Sequence, residues 1–154
     1  MSKQVGSPLP RDLAQSLKIH NGMSRSYLGV NRLFNYEALL STKAIASRYG
    51  TMKELHDANA FPAGGCLITR TRKLKNDTWW RPGWIPITDS DGNGYWIDLD
   101  PPPLGTKGQV FYFYNASARP RRVVAESYAE WLEKVTAKLA RAKLVDGSFE
   151  VAGL

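Results

Sequence analysis

The chain has 154 residues, 43% of them hydrophobic and 11% aromatic, enough for one domain with its own core. A net charge of +7 leaves nucleic acid or an acidic protein open as partner, but the charge is uneven along the chain and does not name a working face. The single cysteine, Cys66, excludes an internal disulfide and a cysteine-based zinc cluster, no apolar run approaches the ~20 residues of a membrane span, and MSKQVGSPLPRDLAQ lacks the apolar stretch of a secretory signal, so a cytoplasmic protein is expected.

Leu9-Pro10-Arg11-Asp12 opens a short helix, with proline suited to a first turn. Leu13, Leu17 and Ile19 are its core-facing residues, and Asn21-Gly22 suits a left-handed C-cap. His20 reads as a packed or capping residue, since no second histidine or cysteine lies at ligand spacing. Tyr27 to Tyr36 predicts one or two short strands around Gly29. Ser41 is placed to cap a helix over 42–57, broken near Gly50, which Ala44, Ile45, Arg48, Tyr49 and Met52 fit. After the loop Phe61-Pro62-Ala63-Gly64-Gly65, Cys66 to Thr71 predicts a strand with the thiol as a buried structural group. A basic run, Arg70, Arg72, Lys73 and Lys75, extends past it toward solvent.

The densest stretch is 79–110, WWRPGWIPITDSDGNGYWIDLDPPPLGTKGQV. It holds Trp79, Trp80, Trp84 and Trp96, leaving only Trp131 elsewhere, and it carries Asp89, Asp91, Asp98 and Asp100 with no Lys or Arg from Trp84 to Gly105. Ile85 and Ile87 alternate with Pro86 and Thr88, the period of a strand. Asp91-Gly92-Asn93-Gly94 supplies residues that tolerate positive φ, as a hairpin turn needs. Tyr95, Ile97 and Leu99 alternate with Trp96, Asp98 and Asp100 on the return, and Pro101-Pro102-Pro103 ends the strand. A further strand follows over 109–114 and a last short one over 123–125. Ser127 and Glu130 form a capping box, and Tyr128, Trp131, Leu132, Val135 and Leu139 make one apolar stripe on the final helix.

The candidate chemistry is sparse. Asp89-Ser90-Asp91-Gly92-Asn93-Gly94 with Asp100 matches the spacing of a calcium loop, but the flanks are a strand and a triple proline where that loop requires helices. No metal is expected there. PPPLGTKGQ lacks the spacing of a phosphate-binding loop and runs into a strand. Asp98 and Asp100, two apart on a strand, could do acid/base work, but nothing nearby supplies a nucleophile or a histidine. Basic residues followed by Trp79-Trp80 are more often solvated charge beside buried aromatics than a nucleic-acid surface, and no nucleic-acid motif is present.

The ordered set LPRDLAQSLKIHNG, LLSTKAIASRY, WWRPGWIPITDSDGNGYWIDLDPPPLGTKGQVF and VVAESYAEWLEKV resembles the SUKH superfamily. More narrowly, it resembles the domain of the fungal cell-wall assembly and killer-toxin-resistance regulators and of bacterial toxin-immunity proteins. The resemblance implies an α+β fold over residues 1–154: a single domain with a central, mostly antiparallel sheet, N- and C-terminal helices packed against it, and 1–8 and 146–154 as flexible tails. It carries no catalytic constellation and no cofactor. Trp84, Gly92, Gly94, Asp100, Gly108 and Trp131 match its pattern as fold determinants.

The function implied is non-enzymatic binding. The first expectation is a bacterial immunity protein that neutralises a cognate toxin of a polymorphic or contact-dependent system, favoured by the lack of long flanking regions. The alternative is an intracellular scaffold of the cell-wall regulator type. A monomer or weak homodimer is expected, with neither membrane nor nucleic acid as partner. The basic charge departs from the acidic character of many nuclease-directed immunity proteins. For the partner surface, the acidic hairpin residues Asp89, Asp91, Asn93 and Asp98 are the first candidate. They suit a basic cleft, to which complementary charge would speed capture. The rival surface is the basic set Arg70, Arg72, Lys73 and Lys75.

Overall fold

The computed structural model describes residues 8–23, 32–61, 71–75, 77–115 and 119–151. Along these the chain runs α1 (Arg11–Ile19), β1 (Ala38–Leu39), α2 (Thr42–Asp57), β2 (Trp84–Pro86), β3 (Thr88–Asp89) and β4 (Gly94–Asp98). It continues with β5 (Gln109–Phe113), β6 (Arg122–Ala125), α3 (Tyr128–Leu139), β7 (Lys143–Val145) and β8 (Ser148–Glu150). The strands expected around Gly29 and over 66–71 fall largely outside the described residues, as do Cys66 and Arg70.

Strand β4 is the centre of a single-domain α+β fold. Its Tyr95-Trp96-Ile97 core is strongly β-prone. It pairs antiparallel with β2 on one side and β5 on the other, giving the order β2-β4-β5-β6. The expected hairpin is present, with Trp84 opposite Asp98 and Ile85 opposite Ile97. Its outer part pairs instead with β1, Ala38 opposite Asp89 and Leu39 opposite Thr88.

Alternation along β4 sends Tyr95 and Ile97 to one face, Trp96 and Asp98 to the other. On the first face Tyr95 meets Trp131 of α3 at 5.3 Å between ring centres, with Phe34 and Tyr128 completing the cluster. On the second, Trp96 meets Phe113 at 4.8 Å and Trp84 meets Phe111 at 4.9 Å. The buried guanidinium of Arg121 lies 4.0 Å from the Phe113 ring centre and donates to the Trp79 carbonyl at 2.6 Å. Every residue of β4 is therefore buried. The period-2 pattern marks two packed layers here, not one packed and one solvated face.

The helices follow their caps. Ser41 Oγ accepts the Ala44 N–H, and α2 runs unbroken through Gly50 to Asp57. One interior glycine costs only about 1 kcal/mol against alanine, less than burial of Ile45, Tyr49 and Met52 returns. Leu13 is buried and Leu17 packs beside it, but Ile19 is 89% exposed, because it lies off the i, i+4 stripe those two define. At Gly22 (φ +73°) the chain passes so close to α2 that a Cβ would sit 2.3 Å from the Ser41 nitrogen. Ser127 Oγ accepts the Glu130 N–H at 3.1 Å, while the Glu130 carboxylate reaches one residue further back, to the Glu126 N–H.

Beyond α3 the chain does not trail off at 146. Asp146 (φ +46°) and Gly147 (φ +73°) form a two-residue turn joining β7 and β8. Strand β8 is held by Phe149, whose N–H donates to the Leu33 carbonyl and whose carbonyl accepts the Asn35 N–H. Val151 is buried behind it.

Candidate interaction surface

The hairpin tip is a tight turn in which Asp91 (φ +50°) and Gly92 (φ +90°) both take left-handed backbone. Ser90 and Asn93 exchange backbone hydrogen bonds across it at 2.9 and 3.0 Å. Asp89 Oδ1 accepts the Gly92 N–H at 3.2 Å, and Asn93 Oδ1 accepts the Asn115 N–H at 2.9 Å, which fixes the tip to the end of β5. Gly94 also lies at positive φ, where a Cβ would clash with the Thr88 carbonyl.

This tip is not a bare acidic protrusion. Arg48 of α2 donates to the Gly92 carbonyl at 2.6 Å and lies 3.9 Å from Asp89. Arg32 lies 3.7 Å from Asp91 and stacks over the Tyr36 ring at 5.3 Å. The segregation of acid from base exists in the sequence and is cancelled in space by arginines from distant segments. Asp91 remains the most available acid, its side chain 84% exposed.

Asp98 does not share that surface. Its carboxylate is fully buried in the middle of the sheet, accepting from the Asp100 N–H at 3.0 Å and Gln109 Nε2 at 3.1 Å. Burial pushes its pKa above the usual carboxylate range, partly offset by those two hydrogen bonds. In this fold Asp98 cannot touch a partner, which corrects its grouping with Asp89, Asp91 and Asn93. Its carbonyl accepts the Gly108 N–H at 2.7 Å, so it ties the loop after β4 back to the strand. Asp100 is instead the exposed member of the pair. Lys75 at 2.6 Å, with Arg81 at 3.2 Å, holds its pKa below the usual range.

A second buried acid, Glu37, belongs to no sequence motif. Thr88 Oγ1 donates to it at 2.6 Å and the Tyr112 hydroxyl at 2.9 Å, so it pins the β1–β3 ladder to β5. Burial raises its pKa, and its proximity adds to the burial that pushes the Tyr112 and Tyr95 hydroxyls far up. The one hint in the sequence is a lone acid beside Ala38-Leu39-Leu40. Glu37 and Asp98 are both sealed from solvent by neutral donors, an arrangement suited to holding strands together.

The rival basic set is also rearranged. Arg72 is exposed, but Lys73 pairs with Glu126 at 2.5 Å and Lys75 with Asp100. Those contacts, with Thr106 donating to Glu126 at 2.6 Å, make the loop end of the sheet a balanced ion-pair network. Trp84 and Trp131 are fully buried on opposite faces of the sheet, and Gly108 turns the loop at positive φ.

Beside the tip lies a groove that the sequence reading does not anticipate. Its volume is about 490 Å³, with Tyr36, Arg141, Lys143, Val145, Ser148 and Val151 among its lining residues. Asn35 builds one wall: its side-chain amide exchanges hydrogen bonds with the Val151 backbone at 2.7 and 2.8 Å. Tyr36 follows in left-handed backbone (φ +64°), its N–H donating to Ser148 Oγ at 3.0 Å. That conformation costs a bulky residue about 1–2 kcal/mol, and it leaves the ring 46% exposed at the groove's rim. Arg32 connects the two features, touching Asp91 on one side and Tyr36 on the other.

The sequence model of the SMI1 / KNR4 family (SUKH-1) matches residues 1–134. A cell wall biosynthesis/cell cycle regulator, smi1 of Schizosaccharomyces pombe, is 31% identical over 166 aligned positions, covering 90% of this chain and 29% of the relative. A glucan synthesis regulatory protein of Neurospora crassa is 26% identical over 170 positions, covering 89% of this chain and 31% of the relative. The chain thus spans under a third of the length of these curated relatives.

Proposed function

The chain belongs to the SMI1 / KNR4 family, SUKH-1, and from that premise we propose that it is a non-enzymatic, protein-binding regulatory module of the cell-wall assembly type. The observation that carries this reading is that both relatives, from two different fungi, are named as regulators of wall or glucan synthesis. The geometry supports binding over catalysis. The two buried carboxylates are enclosed by neutral donors, and the exposed features are a hairpin tip and a groove joined by Arg32. No helix among the described residues is long and apolar enough to cross a membrane.

The immunity reading draws on the family resemblance, and the relatives favour the scaffold. A domain exchange tests the choice. The matching segment of the Schizosaccharomyces pombe relative is replaced by this chain, and cells are scored for survival in a wall-digesting glucanase. Restored survival is the expected result. A stably expressed chimera that restores nothing, together with protection of bacteria against a toxin encoded beside this chain's own gene, would return the assignment to immunity.

A further inference from the structure

We infer that the groove beside β7 binds an extended, acid-bearing segment of a partner protein by strand addition. The inference rests on the reading of the chain as a protein-binding module, and not on its place in wall regulation.

Four observations converge. First, β7 pairs only with β8, so among the described residues no strand covers its outer edge. β8, by contrast, is bridged on its far side to Phe34. In a two-residue hairpin the flanking pair, here Val145 and Ser148, carries the ladder hydrogen bonds, so the next pair turns outward. The Leu144 N–H and C=O therefore face the open edge. Second, the strand is unusually apolar for one so exposed: Leu144 is 64% and Val145 37% exposed, with Tyr36 close by at the rim. Lys143 and Val145, two apart, face the groove, and Leu144 faces the opposite side. An added strand would thus find apolar contacts on both of its faces. Third, Arg141 and Lys143 line the groove with no carboxylate within ion-pair distance among the described residues, and the groove's single acid, Glu150, stands opposite Lys143 on β8, leaving the bases in excess. Fourth, the wall is built at the expense of left-handed backbone at Asn35 and Tyr36, held by three hydrogen bonds to Ser148 and Val151. Strain of this kind persists where surrounding structure over-determines it, and it gathers at binding sites.

The same charges choose the occupant. A second copy would bring its own Lys143 and Arg141 against these, a like-charge clash that discourages self-pairing at an edge. A strand that alternates Asp or Glu with Val, Ile or Phe sets its acids toward Lys143 and Arg141 on the groove side, where Val145 and Tyr36 also lie, and its apolar residues beside Leu144 on the other.

The test uses the full chain and a phage-displayed library of linear twelve-residue peptides. Enriched peptides should alternate acids with β-branched or aromatic residues. Arg141→Glu with Lys143→Glu, both exposed changes, should weaken a selected peptide about tenfold or more. Leu144→Pro should do the same by removing the outward donor while sparing the hydrogen bonds to β8. Asp91→Asn at the neighbouring tip, which removes the charge and keeps the left-handed turn, should leave peptide affinity unchanged. Circular dichroism of each variant separates lost binding from lost fold. No enrichment, acid-free peptides, or binding that survives both groove changes would overturn the inference. Self-association of the parent chain in sedimentation that Leu144→Pro abolishes would overturn it too, because the edge's occupant would then be another copy. Failure here leaves the domain-exchange result untouched, and failure of the exchange leaves peptide binding to be read on its own.

Discussion

Asp91 and Asp98 sit on one hairpin, yet the first side chain is 84% exposed and the second is fully buried. At the turn end, backbone geometry does the work: two left-handed residues close the turn, and the Arg48 side chain from α2 and the Asn115 N–H just past β5 only brace it. At the loop end, side-chain hydrogen bonds do the work, with Asp98 gathering the Asp100 and Gln109 donors inside the sheet. Acids that look alike in sequence are therefore different physical objects. A carboxylate on a turn meets water and mobile counter-charges, while one on a doubly covered strand has only the donors the fold supplies.

Removing Asp98 is the strongest way to sharpen that contrast. Asp98→Ala removes the side-chain acceptor of the half-buried Asp100 N–H and one of the two acceptors of the Gln109 amide, which keeps the Lys73 carbonyl at 2.6 Å, and a loss of about 1–3 kcal/mol is expected. Asp98→Asn keeps an oxygen acceptor of the same shape and should cost about 1 kcal/mol or less, provided its amide turns that oxygen to the donors. Urea unfolding measures both. Equal, small effects from the two would mean that water reaches the site and that Asp98 is not the internal tie described.

The pH response should divide the same way. Asp98 has its folded pKa raised by burial, so its contribution is fully present below its unfolded pKa of about 3.9. As pH climbs from there toward the folded value, the unfolded chain has released its proton and the native chain has not, and stability falls. Asp100 has its folded pKa lowered by Lys75 and Arg81, so its contribution is present above the unfolded pKa and is lost as pH drops through the folded one. Asp98→Asn should flatten the decline on the rising side, and Asp100→Asn the decline on the acid side. Glu37, raised like Asp98, keeps its own slope in both variants. Urea midpoints across the acid to neutral range check this, and an Asp98→Asn profile parallel to the parent would contradict the raised pKa.

Local rules made much of this fold legible. Ser41 and Ser127 cap helices where serine should, and Asp91-Gly92 closes a turn that its residue types dictate. What escaped depends on distant partners. The burial of Asp98 requires a layer of Trp84, Phe111 and Phe113 that no spacing within β4 announces. Arg32 and Arg48 meet the acidic tip from segments far back in the chain, so a base-free stretch of sequence gave a misleading charge map. Asp146-Gly147 is as good a turn signal as Asp91-Gly92, but the strands beside it have three residues each and are held by Leu33 and Asn35. The groove follows from that docking, and so it was invisible too.

The smallest effect on stability is expected at Asp91 itself, and that makes it the most informative probe of the surface. Lysine there would confound charge with backbone, since left-handed geometry at φ +50° suits Asp and Asn far better. Asp91→Asn removes the charge and keeps the conformation. The Arg32 contact at 3.7 Å is an exposed pair, so the change in stability should stay within about 0.5 kcal/mol. Asp98→Lys is no fair companion, because it would bury an unpaired ammonium and unfold the sheet. If a basic partner reads the tip, the domain-exchange chimera carrying Asp91→Asn should lose glucanase survival while its thermal midpoint holds. If survival is intact with Asp91→Asn and lost with Arg72→Glu, the contact lies at the other end of the sheet. Arg72 is the fair choice there, because Lys73 and Lys75 are already engaged by Glu126 and Asp100. A drop in midpoint well beyond 0.5 kcal/mol equivalent would show that Arg32 and Asp91 hold the turn, placing the acidic tip among the fold's braces and leaving the groove as the surface that works.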